Sequence, residues 1–256
     1  MINSINNTNT NNQFVVKLSA LYIIAFISLR HIIHELHEFA HMIVGRLLCG
    51  TWGTRDFNNV HPMSDAYLEN HTGSSLLGME GPFVNYFLIW AGAFLIVCSN
   101  SSKKKSWGLT IIFASLPFAR LFTAVIGGGD EYGVIKTFIS NPTIARFVLI
   151  AIIISVLFYP LYVAYQTFRN TRFKVQLFSG FLILPMLLEG MVVLLFFNSL
   201  LKVGVLNTHP FMGSPLLVYV VLLVAVIAFV FSAKNIKSLV SDLPQKNILQ
   251  KEKVVV

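Results

Sequence analysis

The chain has little charge. Only 12% of its 256 residues are Asp, Glu, Lys or Arg, about half of what a soluble domain carries. An ordinary soluble globule is therefore excluded. Cysteine is almost missing: Cys49 and Cys98 are the whole complement, too few for a disulfide framework. Acids are also scarce, 11 against 19 basic residues, which leaves a net charge of +8. The basic residues fall mostly in short loops and in the tail, as the positive-inside rule expects of a membrane protein. No nucleic-acid partner is indicated. Residues 1–13 contain no Lys or Arg, so the charged start of a signal peptide is missing. They read as a disordered polar lead, and the first apolar segment is expected to stay in the mature chain.

What is present is apolar. Hydrophobic residues make up 55% and aromatics 13%, and mean hydropathy is +0.70. This excludes disorder and points to an integral, multi-pass membrane protein in contact with a lipid bilayer. Five clear spans and one compound span can be read, each measured against the roughly 20 residues that cross hydrocarbon. Segment A runs from about 14 to 49, B from 75 to 98, and C from 107 to 126. D runs from 144 to 168, E from 176 to 201, and F from 215 to 233. The expected fold is an all-α polytopic transmembrane bundle of about six helices, or seven if A is two segments broken near Ser28–His31. Residues 14–135, with the polar loop 50–74, form the expected core, and 136–238 an accessory helical part. Residues 239–256 read as a basic cytoplasmic tail.

Orientation follows from the loops. Lys103, Lys104 and Lys105 lie between B and C, Arg169, Arg172 and Lys174 between D and E, and five lysines follow F. These loops and the C-terminus are expected in the cytoplasm. The short, all-membrane layout suits a bacterial plasma membrane. The 50–74 loop carries Trp52, Arg55, Asp56, His61, Asp65, Glu69 and His71. It reads either as a hairpin or re-entrant element or as a solvated loop.

Segment A contains His37-Glu38-Phe39-Ala40-His41. Histidines at i and i+4 share one helical face, one turn apart. That spacing lets both imidazoles reach one zinc ion, with the intervening glutamate as general base. Arg30, His31, His34 and Glu35 lie in the same apolar stretch. Ionisable groups within a bilayer are costly and usually functional. His34, one turn before His37, reads as an outer-sphere partner or as a plain interhelical hydrogen-bonding residue. A catalytic zinc needs a third protein ligand and an open position for water. Asp130, after Gly127, Gly128 and Gly129, is the first candidate; Glu131 is the fallback and Glu189 a distant third. A third element, Gly81-Pro82-Phe83-Val84-Asn85, opens segment B. An asparagine amide inside a membrane needs partners, and this one suits a substrate carbonyl. Arg120 in C and Glu189 in E each lie about 13 residues from the cytoplasmic end, at about 20 Å depth. Their matched depth predicts a buried ion pair, with gating as the alternative role for Glu189.

HEFAH in a membrane helix, then GPFVN about forty residues later, then a distant Asp, resembles the site-2-protease family of intramembrane zinc metallopeptidases. The resemblance covers roughly residues 30–135. It implies Zn2+ held by His37, His41 and Asp130, with Glu38 activating water. It also implies a substrate-engaging element at Gly81, Pro82 and Asn85, and a transmembrane protein or peptide as substrate. Two departures stand out. The family's Asp usually ends an Asn…Pro…Asp-Gly run. Here Pro117 is 13 residues before Asp130, no matching Asn is found, and Glu131 replaces the Gly. Family members also usually place the site toward the cytoplasm, whereas the charge count here puts His37, Asn85 and Asp130 toward the outer side.

Three other readings compete. A transporter or channel would use Arg120, Glu189 and the histidines as a polar path, but no repeated halves are seen. A membrane di-iron oxidoreductase needs several histidine clusters, and this chain has one. A protease-like scaffold that binds without cleaving is the third.

Overall fold

A computed structural model of the chain describes residues 14–61, 78–169, 171 and 173–242. Strand β1 (Phe14–Val16) leads into α1 (Ala20–Cys49). A short hairpin follows, β2 (Thr54–Arg55) with β3 (Val60–His61). Then come α2 (Glu80–Val97), α3 (Ser102–Ala114), α4 (Pro117–Ile126), α5 (Asp130–Phe138) and α6 (Pro142–Phe168). Helix α7 (Lys174–Glu189) continues as a π-helix over Gly190–Phe197 and ends in α8 (Asn198–Lys202). Helix α9 (Leu216–Ser232), a 3₁₀ turn over Ala233–Ser238 and strand β4 (Val240–Asp242) complete the chain. The fold is an all-α bundle. Five helical segments are long and apolar enough to cross a membrane: Glu80–Val97, Ser102–Ile126, Pro142–Phe168, Lys174–Lys202 and Leu216–Ser238. The chain is an integral membrane protein.

Helix α1 is the sixth long element, and it is more polar than those five. It is one unbroken helix of 30 residues, not two segments. Its start is set by Ser19, whose hydroxyl accepts from the Tyr22 amide at 3.1 Å. Its end is set by Gly50, in the left-handed region with φ 76°. Nothing between them breaks the ladder, because Arg30, His31, His34 and Glu35 all find room inside the bundle. Residues 14–16, expected to open the helix, instead form β1.

Segment C differs from a single helix. The chain breaks at Leu116, which has φ 51°, and restarts at Pro117. Proline disfavours helix in the residue before it and suits a first turn. Segment E is continuous but carries the π-helical stretch after Pro185 and Glu189.

The two chain ends meet. β1 pairs antiparallel with β4, Phe14 opposite Asp242. Ser106 of α3 joins them by accepting from the Val240 amide at 2.9 Å. Residues 240–242 are thus a paired strand rather than free tail. The core beside this clasp is aromatic, with Tyr22, Phe26, Phe113, Phe168 and Phe181 in one buried cluster. The opposite end is built around the β2–β3 hairpin. Its tip residue Phe57 is fully buried with Val193, Leu201, Leu217 and Val218 and stacks on Phe197 at 4.9 Å. Asn198 accepts from the Phe57 amide at 3.2 Å. Of the readings for the 50–74 loop, a hairpin is found over its described part, 50–61, and it ties α1 to α8 and α9. Residues 1–13, 62–77 and 243–256 lie outside the described residues, and with them Asp65, Glu69, His71, the polar lead and most of the tail.

Candidate metal centre

Helix α1 leaves the clasped end at Ala20. At 1.5 Å per residue, His37 stands about 26 Å along it. The i, i+4 spacing puts His37 and His41 on one face. Their Nε2 atoms are 3.4 Å apart. Asp130 joins them: its Oδ2 is 3.2 Å from His37 Nε2 and 3.8 Å from His41 Nε2. These are the described residues whose ligand atoms converge as a metal would require. A tetrahedral ion with bonds of about 2.0–2.2 Å separates its ligand atoms by about 3.3–3.6 Å. Two edges, 3.4 and 3.2 Å, are close to that size, and the third, from Asp130 to His41, is longer at 3.8 Å.

Gly81 packs against the two imidazoles. A β-carbon at this position would stand 2.5 Å from His37 Nε2 and press equally on His41 Nε2. The glycine therefore lets α2 pass close against the edges of both imidazoles, where any side chain would collide with them. The residues present fit zinc by donor type: two imidazole nitrogens and one carboxylate oxygen. Gly81, expected to engage substrate, lies at the ligand triangle itself. Pro82 is buried in the first turn of α2. Asn85 is one turn further along the same face. Its amide is 6% exposed, and its Oδ1 has no hydrogen-bond partner among the described residues.

Asp130 reaches the triangle because α4 and α5 are joined by a very tight turn. Gly129 has φ 83°, and a β-carbon there would meet Thr123 Oγ1 at 2.9 Å. Only glycine suits both demands. The turn folds α5 back so that Asp130 and Glu131 open its first turn. Helix α5 is not one of the membrane-crossing segments. Burial alone would raise the Asp130 carboxyl; the His37 and His41 rings and the Arg120 charge outweigh it and hold the group well below the usual carboxylate range. Glu131 turns elsewhere. It accepts from Tyr86 Oη at 3.1 Å, and Arg120 Nη1 lies 3.4 Å from both its oxygens. Of the three acids weighed as third ligand, Asp130 is the one beside the histidines; Glu189 pairs with Arg30.

Glu38 is buried, at 5% exposure. Its carboxylate has no hydrogen-bonding or ion-pair partner among the described residues. Glu80 was not singled out by the sequence, yet its Oε2 lies 3.1 Å from His41 Nδ1 and accepts from the Gly78 amide at 2.8 Å. The only sequence signal was an acid directly before Gly81, which reads equally well as a charge suited to a helix N-terminus.

Two expectations are corrected. Arg120 and Glu189 do not pair. Arg120 faces Asp130 and Glu131, while Glu189 Oε1 lies 2.7 Å from Arg30 Nη2. Matched depth was an insufficient guide, because the break at Leu116 and the turn at Gly129 bring acids from the same stretch of chain back to Arg120. His34 is not an outer-sphere partner of the metal triangle. Its Nε2 lies 2.6 Å from the Phe57 carbonyl and its Nδ1 3.2 Å from Glu189. It belongs to a second buried cluster, in which Arg55 pairs with Glu35 and donates from Nε to Ser214 Oγ at 2.8 Å.

The chain was compared with protein-family models, curated proteins and solved structures, and none of the three comparisons gives a match.

Proposed function

We propose that this protein is an intramembrane zinc metalloprotease of the site-2-protease kind, hydrolysing peptide bonds of transmembrane protein or peptide substrates. The observation that carries the reading is the convergence of His37, His41 and Asp130 ligand atoms, with Gly81 packed against the two imidazoles. His37, His41 and Asp130 would hold the ion. When bound, zinc supplies a Lewis acid that polarises a carbonyl and lowers the pKa of a water to about 7. Glu38 is the proton carrier: its carboxylate takes a proton from the attacking water and delivers it to the leaving amide nitrogen. Glu80 holds the His41 ring by its Nδ1–H, so that Nε2 keeps its lone pair toward the ligand triangle. Asn85, with a free buried carbonyl oxygen, suits an amide N–H of an unwound substrate. Such unwinding is required, since an intact helix keeps its carbonyls in internal hydrogen bonds.

The orientation belongs to the same reading. Lys17, Lys103, Lys104, Lys105, Lys234 and Lys237 gather at the clasped end, which we assign to the cytoplasm of a bacterial plasma membrane. The ligand triangle then lies toward the outer side.

The deciding experiment is elemental analysis of detergent-purified protein, wild type beside His37→Ala. About one zinc per chain, lost in the variant, supports the reading. A folded wild type without zinc after purification free of chelators overturns it.

A further inference from the structure

We propose that Arg120 selects which of two adjacent acids completes the metal site, by holding Glu131 away from it. The inference rests on the zinc reading of His37, His41 and Asp130.

Helix α5 opens with two consecutive acids, Asp130 and Glu131. Both stand in its first turn, and glutamate has the longer reach by one methylene. Either carboxylate is a zinc ligand by chemistry. If both entered, the fourth position, which a catalytic zinc keeps for water, would be filled by protein. The structure separates them. Glu131 is 4% exposed, and its two oxygens face Arg120 Nη1 at 3.4 Å each, with Tyr86 donating to Oε1 at 3.1 Å. The same Nη1 is 3.4 Å from Asp130 Oδ2. One guanidinium nitrogen from α4 and one phenol from α2 thus occupy the competing acid, while the neighbouring acid is left beside His37 and His41.

The energetic reason is burial. A carboxylate taken from water without a partner is strongly unfavourable, and it turns to whatever cation is nearest. With Arg120 in place, that cation is a guanidinium. With Arg120 removed, it is the metal. The Asp-Glu pair and an arginine ten residues before it therefore act as one unit: the arginine makes tolerable an acid that would otherwise crowd the site. Arg120 is a positioning residue, acting through Glu131 and Asp130.

The test uses full-length detergent-solubilised protein loaded with Co2+, whose visible absorption reports coordination number. Wild type, Glu131→Gln, Arg120→Met and the double variant Arg120→Met/Glu131→Gln are compared, with one metal per chain checked by elemental analysis and folding by thermal melts. The expected result is an intense four-coordinate band in wild type and Glu131→Gln. Arg120→Met should keep its metal but lose band intensity as Glu131 enters, and the double variant should recover the wild-type band. An unchanged band in Arg120→Met overturns the proposal. So does a folded double variant that fails to recover it, since Arg120 would then act on Asp130 alone. Arg120→Gln, whose shorter and uncharged amide removes the guanidinium from Glu131, carries the same comparison if the methionine variant does not fold. A wild type that binds no metal at all overturns the zinc reading instead.

Discussion

His41 Nδ1 lies 3.1 Å from Glu80 Oε2, and the residue after that acid, Gly81, packs so close to His41 Nε2 that a β-carbon there would stand 2.4 Å away. On the zinc reading, one turn of α2 both orients a ligand and brings backbone without a side chain against it. A carboxylate accepts and does not donate, so Glu80 takes the Nδ1–H of His41 and, on the zinc reading, leaves Nε2 for the ion. Glu80→Gln is expected to weaken zinc affinity by about 10–100-fold, measured by competition with a chelator of known affinity. The melting temperature should change little. Unaltered affinity would remove Glu80 from the site.

Gly81→Ala puts a methyl in collision with both imidazoles, about 2.4–2.5 Å from each Nε2. The expected outcome is a folded protein with less than a tenth of the wild-type zinc, read by elemental analysis. Zinc retained at one per chain would show that the two histidines need no glycine against them.

Glu38→Gln leaves the ligand triangle untouched, since Glu38 is not among the converging ligand atoms. Zinc content is expected to stay at the wild-type level. Cleavage of a model transmembrane substrate should fall by about 10²–10⁴-fold, the usual worth of a general base. Full cleavage in this variant would end the general-base role.

Arg30 and Glu189 form the tie between α1 and the π-helical stretch, at 2.7 Å with both side chains largely buried. Removing one partner leaves a buried charge. Glu189→Gln is expected to destabilise the protein by about 3 kcal/mol, while a double replacement by apolar residues costs much less. Thermal melts of Glu189→Gln, Arg30→Met and Arg30→Met/Glu189→Leu check this. A double variant as unstable as the worse single would show that the pair is not the source of the stability.

How much could be read in advance varies from residue to residue. The apolar spans were legible because hydrocarbon demands about 20 apolar residues at a stretch, and segments D and F show little else. His37 and His41 were legible because helical periodicity alone brings i and i+4 together. Their partner Asp130 was readable only as one of several acids. The π-helical stretch and the clasp of residues 14–16 with 240–242 left no local trace, since each depends on contacts far along the chain.

The sequence by itself determined the membrane class, the helical bundle and the pair of histidines on one face. These follow from composition and from periods of a few residues, which act locally. The tertiary structure alone decided that Asp130 rather than Glu131 faces the histidines, and that Glu80 stands behind His41. It also paired Arg30 with Glu189 and Arg120 with the acids of α5. Those choices depend on where a chain turns at Leu116 and Gly129 and on which charge lies nearest in a medium where an unpaired charge is costly. Distances of that kind are properties of the packed bundle and are not written in the spacing of residues along one chain.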